Sequence, residues 1–183
     1  MEELSLHILD LAQNSLAAGA TQLEVAIVED LAGNRLTIEV SDNGSGMSEE
    51  QCRAALDPFV TSRRTRNVGL GLPLLKLAAE QAGGGLWIDS RPGAGTRVRV
   101  EFQHDHLDRV PLGDMSSTLV SILALNEDCR LRYRHQRGER QFSLDSEQLK
   151  TILGPVPFGN PQVAVWLGQY VKENEQSLEV LEP

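Results

Sequence analysis

The sequence predicts an α+β fold in which helices pack on one face of a mixed or antiparallel sheet. Three observations predict it. Residues 4–17 carry a helical period, with Leu4, Ile8, Leu11 and Ser15 on one side. Residues 23–27 and 36–40 instead alternate at period two, as one-sided strands do. The composition is globular: 40% hydrophobic and 23% charged over 183 residues, enough chain for a sizeable core.

The first helix stops near Gly19, a residue suited to a helix C-terminus. The two strands that follow are joined at Ala32-Gly33-Asn34, a hairpin signal. Asp42-Asn43-Gly44-Ser45-Gly46-Met47 reads as a loop, and Ser48 as the N-cap of a short helix ending at Pro58. Residues 61–68 are polar, Arg-rich and aperiodic, and read as a loop. A second long helix spans about 70–81 and stops at Gly83-Gly84-Gly85. Strands at 86–89 and 96–102 close the unit, with Val98, Val100 and Phe102 on one face. Composition then shifts, which divides the chain into a domain at 1–103, a linker at 104–116 and a small C-terminal α+β region at 117–183. That region reads as a helix at 117–125, a strand pair at 130–135 and 140–144, and helices at 146–153 and 161–176.

Charge and residue counts exclude several functions. The net charge of −9 argues against nucleic-acid binding through bulk charge, and 4% aromatics leave little for base stacking. Two isolated cysteines and four histidines without paired helical spacing offer no disulfide framework or thiolate or histidine metal centre. No signal peptide is apparent, and no apolar run approaches the roughly 20 residues of a membrane span. The reading is a soluble, cytoplasmic protein. Arg130, Arg132 and Arg134 share one face of a strand, either as a solvated surface or as a dock for an acidic partner. Trp166 and Tyr170, four apart on the last helix, read as packing.

Three short segments carry chemistry. At 100° per residue, His7, Asp10 and Asn14 fall in one narrow sector of the first helix, and an acid and an amide so placed can hold a divalent cation and a water. Asp42 ends a half-buried strand, where a carboxylate can accept from an exocyclic amine, and Gly44 and Gly46 permit close backbone approach. Gly69-Leu70-Gly71 opens the second long helix, whose free N–H groups suit a phosphate. The dinucleotide and Walker patterns are absent.

Together and in this order, these segments resemble the motifs of the GHKL ATPases, the superfamily of gyrase, heat-shock chaperone, histidine kinase and MutL proteins. The run from Asp10 through Asn14 to Ala20 resembles the N box and is closest to that of MutL. Asp42-x-Gly44-x-Gly46 resembles the G1 box, Pro58-Phe59-Val60-Thr61 the F box, Gly69-Leu70-Gly71-Leu72 the G2 box, and Gly93-Ala94-Gly95-Thr96 the Gly-Thr motif. The resemblance covers about residues 3–103. It implies a Bergerat fold, an α/β two-layer sandwich that binds ATP and Mg²⁺. Asn14 would ligate the metal, and Asp42, supported by Thr96, would bond the adenine amino group. Gly44, Gly46 and Met47 would form the base pocket, and Gly69, Leu70 and Gly71 would meet the phosphates. Arg63, Arg64 and Arg66 would lie in the lid, as γ-phosphate sensors or as solvated charge. Asp10 stands where family ATPases place a glutamate base and is shorter by about 1.5 Å. The resemblance implies an ATPase or stand-alone protein kinase with a protein partner; the alternative is a nucleotide-gated binding module with little turnover. Self-association through residues 117–183 is a further expectation.

Overall fold

A single apolar face runs across six strands and is covered by helices. The computed structural model describes residues 3–59 and 70–180. In chain order they form α1 (Leu4–Ala17), β1 (Gln22–Asp30), β2 (Arg35–Asp42), α2 (Glu49–Leu56), α3 (Gly71–Gln81), β3 (Gly85–Arg91), β4 (Gly95–Gln103), α4 (Met115–Leu125), β5 (Arg130–Arg137), β6 (Arg140–Asp145), α5 (Ser146–Leu153) and α6 (Pro161–Glu179). The sheet order is β3-β4-β2-β1-β5-β6. β1 and β5 are parallel and every other neighbouring pair is antiparallel, so the sheet is mixed.

Period-two alternation fixes which face is buried. Val25, Ile27, Ile38, Val40, Val98, Val100, Leu131 and Leu144 point inward, joining buried residues of all six helices in one core. The opposite face is uncovered, and there Glu24, Trp87, Arg99, Arg132 and Arg134 are exposed. This is the α+β, two-layer arrangement that the hydrophobic periods predict.

Residues 117–180, from the span expected as a small C-terminal region, continue the same sheet and core. β5 pairs with β1 from Gln22↔Arg130 to Glu29↔Arg137, and Met115, Leu119 and Leu167 belong to the common core. The connecting segment is also tied down. The N–H groups of Leu4 and Ser5, at the start of α1, donate to the carbonyls of Pro111 and Leu112 at 2.9 and 2.8 Å. Those bonds satisfy helix-terminal donors that no side chain caps. Ser48 does cap α2, in a capping box with Gln51, but the helix ends at Leu56, two residues before Pro58, because the residue before a proline is disfavoured in helical geometry.

Arg130, Arg132 and Arg134 of β5 lie on the uncovered face as alternation predicts. They are mostly engaged within the chain. Arg130 forms two bonds to Asp145, at 3.1 and 2.6 Å, and Arg132 reaches Glu24 at 2.5 Å. Tyr170 packs edge-on against the buried Phe142 at 5.9 Å, and Trp166 stacks on Tyr170 at 5.5 Å, consistent with a packing role.

Candidate functional site

At one end of the sheet, the inward-facing row turns from apolar to polar. Ser90 on β3 is directly opposite Thr96 on β4, which is directly opposite Asp42 on β2. Each continues the buried alternation of its strand, so the three side chains stand side by side under the helix layer. The Oγ atoms of Ser90 and Thr96 are 2.8 Å apart. Asp42 is held from two sides: Gly44 N–H donates to Oδ1 at 2.8 Å and Ser15 O–H to Oδ2 at 2.5 Å. Ser15 is buried on α1, so the N-terminal helix fixes the carboxylate of the loop.

Two glycines make this end of the sheet possible. Gly46 has φ +67°, and a Cβ there would stand 1.9 Å from the carbonyl oxygen of Arg91. Gly95 has φ +84°, and its Cβ would stand 2.0 Å from the carbonyl oxygen of Asp42. The loop after β2 and the β3–β4 turn therefore touch backbone to backbone, which only glycine permits. Gly93 N–H to Ser45 O at 2.7 Å and Met47 N–H to Ser90 Oγ at 2.8 Å close the seam and hold Met47 beside the polar row.

Asp10 and Asn14 sit one turn apart on α1, both half-buried. Neither side chain hydrogen-bonds a described residue, so their oxygens are free to act on something else. Asp10 lies against the start of α3: its Oδ2 is 2.9 Å from where a Cβ on Gly71 would stand. The α3 terminus has no side-chain cap, and its N-cap residue, Leu70, is exposed. Free N–H groups at a helix start attract an anion. His7, one turn before Asp10, is buried, and burial lowers its pKa from the ordinary value. Among the described residues its Nδ1 has no partner.

The structure thus gathers Asp10, Asn14, Leu70 and Gly71 at one locus, and Asp42, Gly44, Gly46, Met47 and Thr96 at another, tied together through Ser15 on α1. Gly69, Arg63, Arg64, Arg66 and the end of the F box at Val60 and Thr61 lie outside the described residues. Sequence reasoning missed Ser15 and Ser90 as site residues. Their signal is a polar side chain at an inward position, on the Leu4–Ile8–Leu11 stripe and after Leu86 and Ile88 on β3.

Residues 2–106 match the family of histidine kinase-, DNA gyrase B-, and HSP90-like ATPases. The chain belongs to this family. It therefore carries an ATP-binding domain of the histidine-kinase-like type, with the α+β fold that the motif order implied. The tetrathionate sensor histidine kinase TtrS of Salmonella typhimurium is 34% identical over 109 residues, 57% of this chain and 18% of its own length. Sensor histidine kinase GacS of Pseudomonas protegens is 30% identical over 111 residues, 56% of this chain and 12% of its own length. The chain thus spans less than a fifth of either relative. Among solved structures, the N-terminal domain of a DNA repair protein superposes with TM-score 0.57 at 17% identity, covering 79% of this chain and 53% of that one. At that identity the likeness concerns the fold. Among the described residues, no helix is long and apolar enough to cross a membrane.

Proposed function

We propose that the chain binds Mg-ATP and uses it in one of two ways, by hydrolysis or by phosphoryl transfer to a protein partner. The observation that carries the proposal is the meeting of two unsatisfied features. The carboxamide of Asn14 and the carboxylate of Asp10, which bond no other side chain or backbone among the described residues, lie on one turn of α1, with Asp10 beside the start of α3 at Gly71. Mg²⁺ takes oxygen ligands, often one or two from protein and the rest from water and phosphate, so this donor set fits it. When bound, the metal would neutralise developing charge on the phosphates. Asn14 would hold it, and the backbone of Gly69, Leu70 and Gly71 would hold the phosphates. Asp42 would accept from the exocyclic amine of adenine, with Thr96 beside it and Met47 against the base in the pocket that Gly44 and Gly46 shape. Asp10 would orient the attacking water or receive its proton.

Asn14→Ala is expected to weaken Mg-dependent binding of a non-hydrolysable ATP analogue by at least about tenfold. Asp10→Asn is expected to leave that affinity within about threefold while lowering turnover by about 10²–10⁴-fold. Binding by the native protein without turnover or transfer to any partner would favour the second reading, a nucleotide-gated module. The short reach of Asp10 is the observation that supports it. Ser15→Ala removes one bond to Asp42 and is expected to weaken the analogue about fivefold by calorimetry. The proposal includes a protein partner, with residues 117–183 as the region for docking or self-association.

A further inference from the structure

The sheet has two edges, β3 and β6, and they differ in how they are guarded. A strand edge presents unpaired N–H and C=O groups to any chain able to pair with them, and charged side chains on the strand are one usual protection. β3 carries Asp89 and Arg91. From Gln141 to Leu144, β6 carries no charge, no proline and no bulge. Its hairpin shows which backbone groups are spare. Arg137 pairs with Arg140 across the two-residue turn Gly138-Glu139. That pair and every second one after it, His135↔Phe142 and Tyr133↔Leu144, therefore exchange hydrogen bonds. The N–H and C=O groups of Gln141 and Ser143 point away from β5. Both residues are exposed, and no described residue bonds those groups.

The helix layer above this edge is exposed and apolar as well. Phe142 faces inward, and Tyr170 of α6 packs edge-on against it at 5.9 Å. Trp166 stacks on Tyr170 at 5.5 Å, and Val165, Trp166 and Tyr170 all remain exposed. A strand added beside Phe142 is therefore set at the foot of an aromatic ridge.

We infer that β6 is a self-association edge whose occupant is the β6 of a second copy of this chain, antiparallel across a two-fold axis at Ser143. The inference rests on the self-association proposed above for residues 117–183 and not on nucleotide binding. The strand is complementary to itself, as a two-fold contact requires. With Ser143 opposite the partner's Ser143, the two exchange both backbone bonds. Gln141 then stands opposite the partner's Asp145, an amide beside an acid. Phe142 stands opposite the partner's Leu144, apolar against apolar. A register with Phe142 on the axis sets Glu139 toward the partner's Asp145 and is disfavoured by like charge. The net charge of −9 opposes association in general, yet residues 141–144 are neutral. The edge bonds fix the register, and the ridge adds the apolar area that two spare residues alone lack.

Sedimentation equilibrium of the full chain without nucleotide tests the inference. The native protein is expected to reach twice the monomer mass by about 100 µM. Ser143→Lys sets two ammonium groups against each other on the axis, each beside Arg134 of its own chain. It is expected to weaken the dimer at least about thirtyfold. Its melting temperature, taken at low concentration, is expected to move by no more than a few degrees, because the Ser143 side chain is exposed. Added Ser143→Glu chain is expected to draw a fluorescently labelled Ser143→Lys chain back to dimer mass, and added Ser143→Lys chain is not. A native chain that stays monomeric overturns both the inference and the self-association reading. If such a monomer binds a synthetic peptide of residues 139–146, the edge belongs to another protein's strand. A Ser143→Lys chain that dimerises as the native one does puts the contact elsewhere and overturns the inference alone. Failure of Ser143→Glu to recover the dimer overturns it too. Should Ser143→Lys fail to fold, Gln141→Glu decides. It sets an acid against the partner's Asp145 and is expected to weaken the dimer about tenfold, and an unchanged dimer overturns the inference.

Discussion

Asparagine in place of Asp42 is expected to cost at least about a hundredfold in affinity for the ATP analogue, near 2.7 kcal/mol. The carboxylate has only acceptor sites. One on Oδ1 takes Gly44 N–H and one on Oδ2 takes Ser15 O–H, leaving further lone pairs for the base. An amide keeps one oxygen. If that oxygen stays on Gly44, the new NH₂ group stands beside Ser15 and presents protons to a base amine that also donates. If it flips, two N–H groups face each other at Gly44. Both arrangements place donor against donor in the half-buried row, where an unmade bond is expensive. The fold should survive, since Asp42 ends its strand and the isostere keeps its volume, so the melting temperature is expected to move by no more than a few degrees. Calorimetry and a thermal melt on the same preparation check both statements. Retained affinity, within about threefold, would mean that Asp42 does not read the base.

Much of this arrangement is legible in the residues. The alternation of Leu23, Val25 and Ile27 and of Val98, Val100 and Phe102 gives the strands and their inward faces, and the stripe of Leu4, Ile8 and Leu11 gives α1. The positions of Asp10 and Asn14 follow from the helical period alone. What the chain order does not carry is which strand lies beside which. β5 joins β1 in parallel through a crossover that includes α4, and nothing local in Arg130–Arg137 names β1 as its neighbour. A boundary at residue 103 follows from composition, whereas continuity of the sheet depends on backbone bonds between segments about a hundred residues apart. Ser15 and Ser90 are invisible for a related reason. Each is unremarked among apolar neighbours until the fold sets Asp42 and Thr96 against it.

The least legible feature lies at the other end of the sheet, and it is where substitution should destabilise the protein most. Glu29 continues the inward alternation of β1, so it is buried as an acid. Its partners come from far along the chain: His104 at 2.5 Å, His135 at 2.9 Å and Arg137 at 2.8 Å. His135 also reaches Glu175 of α6 at 2.7 Å, and Tyr133 O–H donates to that same carboxylate at 2.8 Å. Burial alone would lower the imidazole, but its bonds to Glu175 and Glu29 and their charges outweigh this and raise His135 to about 9. Burial would likewise raise Glu29, but bonds from His135 and His104, with the charge of Arg137, bring it down to about 2. His135→Gln keeps hydrogen-bonding atoms but removes the cation between the buried carboxylate of Glu29 and the half-buried one of Glu175. It is expected to cost about 3–5 kcal/mol in urea unfolding, the usual price of leaving buried charge uncompensated. The sign of the pH effect follows from linkage. The raised His135 contributes stability that is complete below its unfolded value of 6.5 and is lost as pH rises through about 9. The lowered Glu29 contributes stability present above 4.5 and lost as pH falls through about 2. The native chain should therefore weaken between pH 7 and 10, and the variant should lack that alkaline decline. Leu23 pairs with Asp42 at the end proposed to hold the nucleotide, and Glu29 lies six residues further along β1, roughly 20 Å away at strand rise. A variant that remains folded should accordingly bind the ATP analogue within about twofold of the native protein. A stable variant, or one that loses affinity while keeping its stability, would show that the cluster serves something other than holding α6 to the sheet.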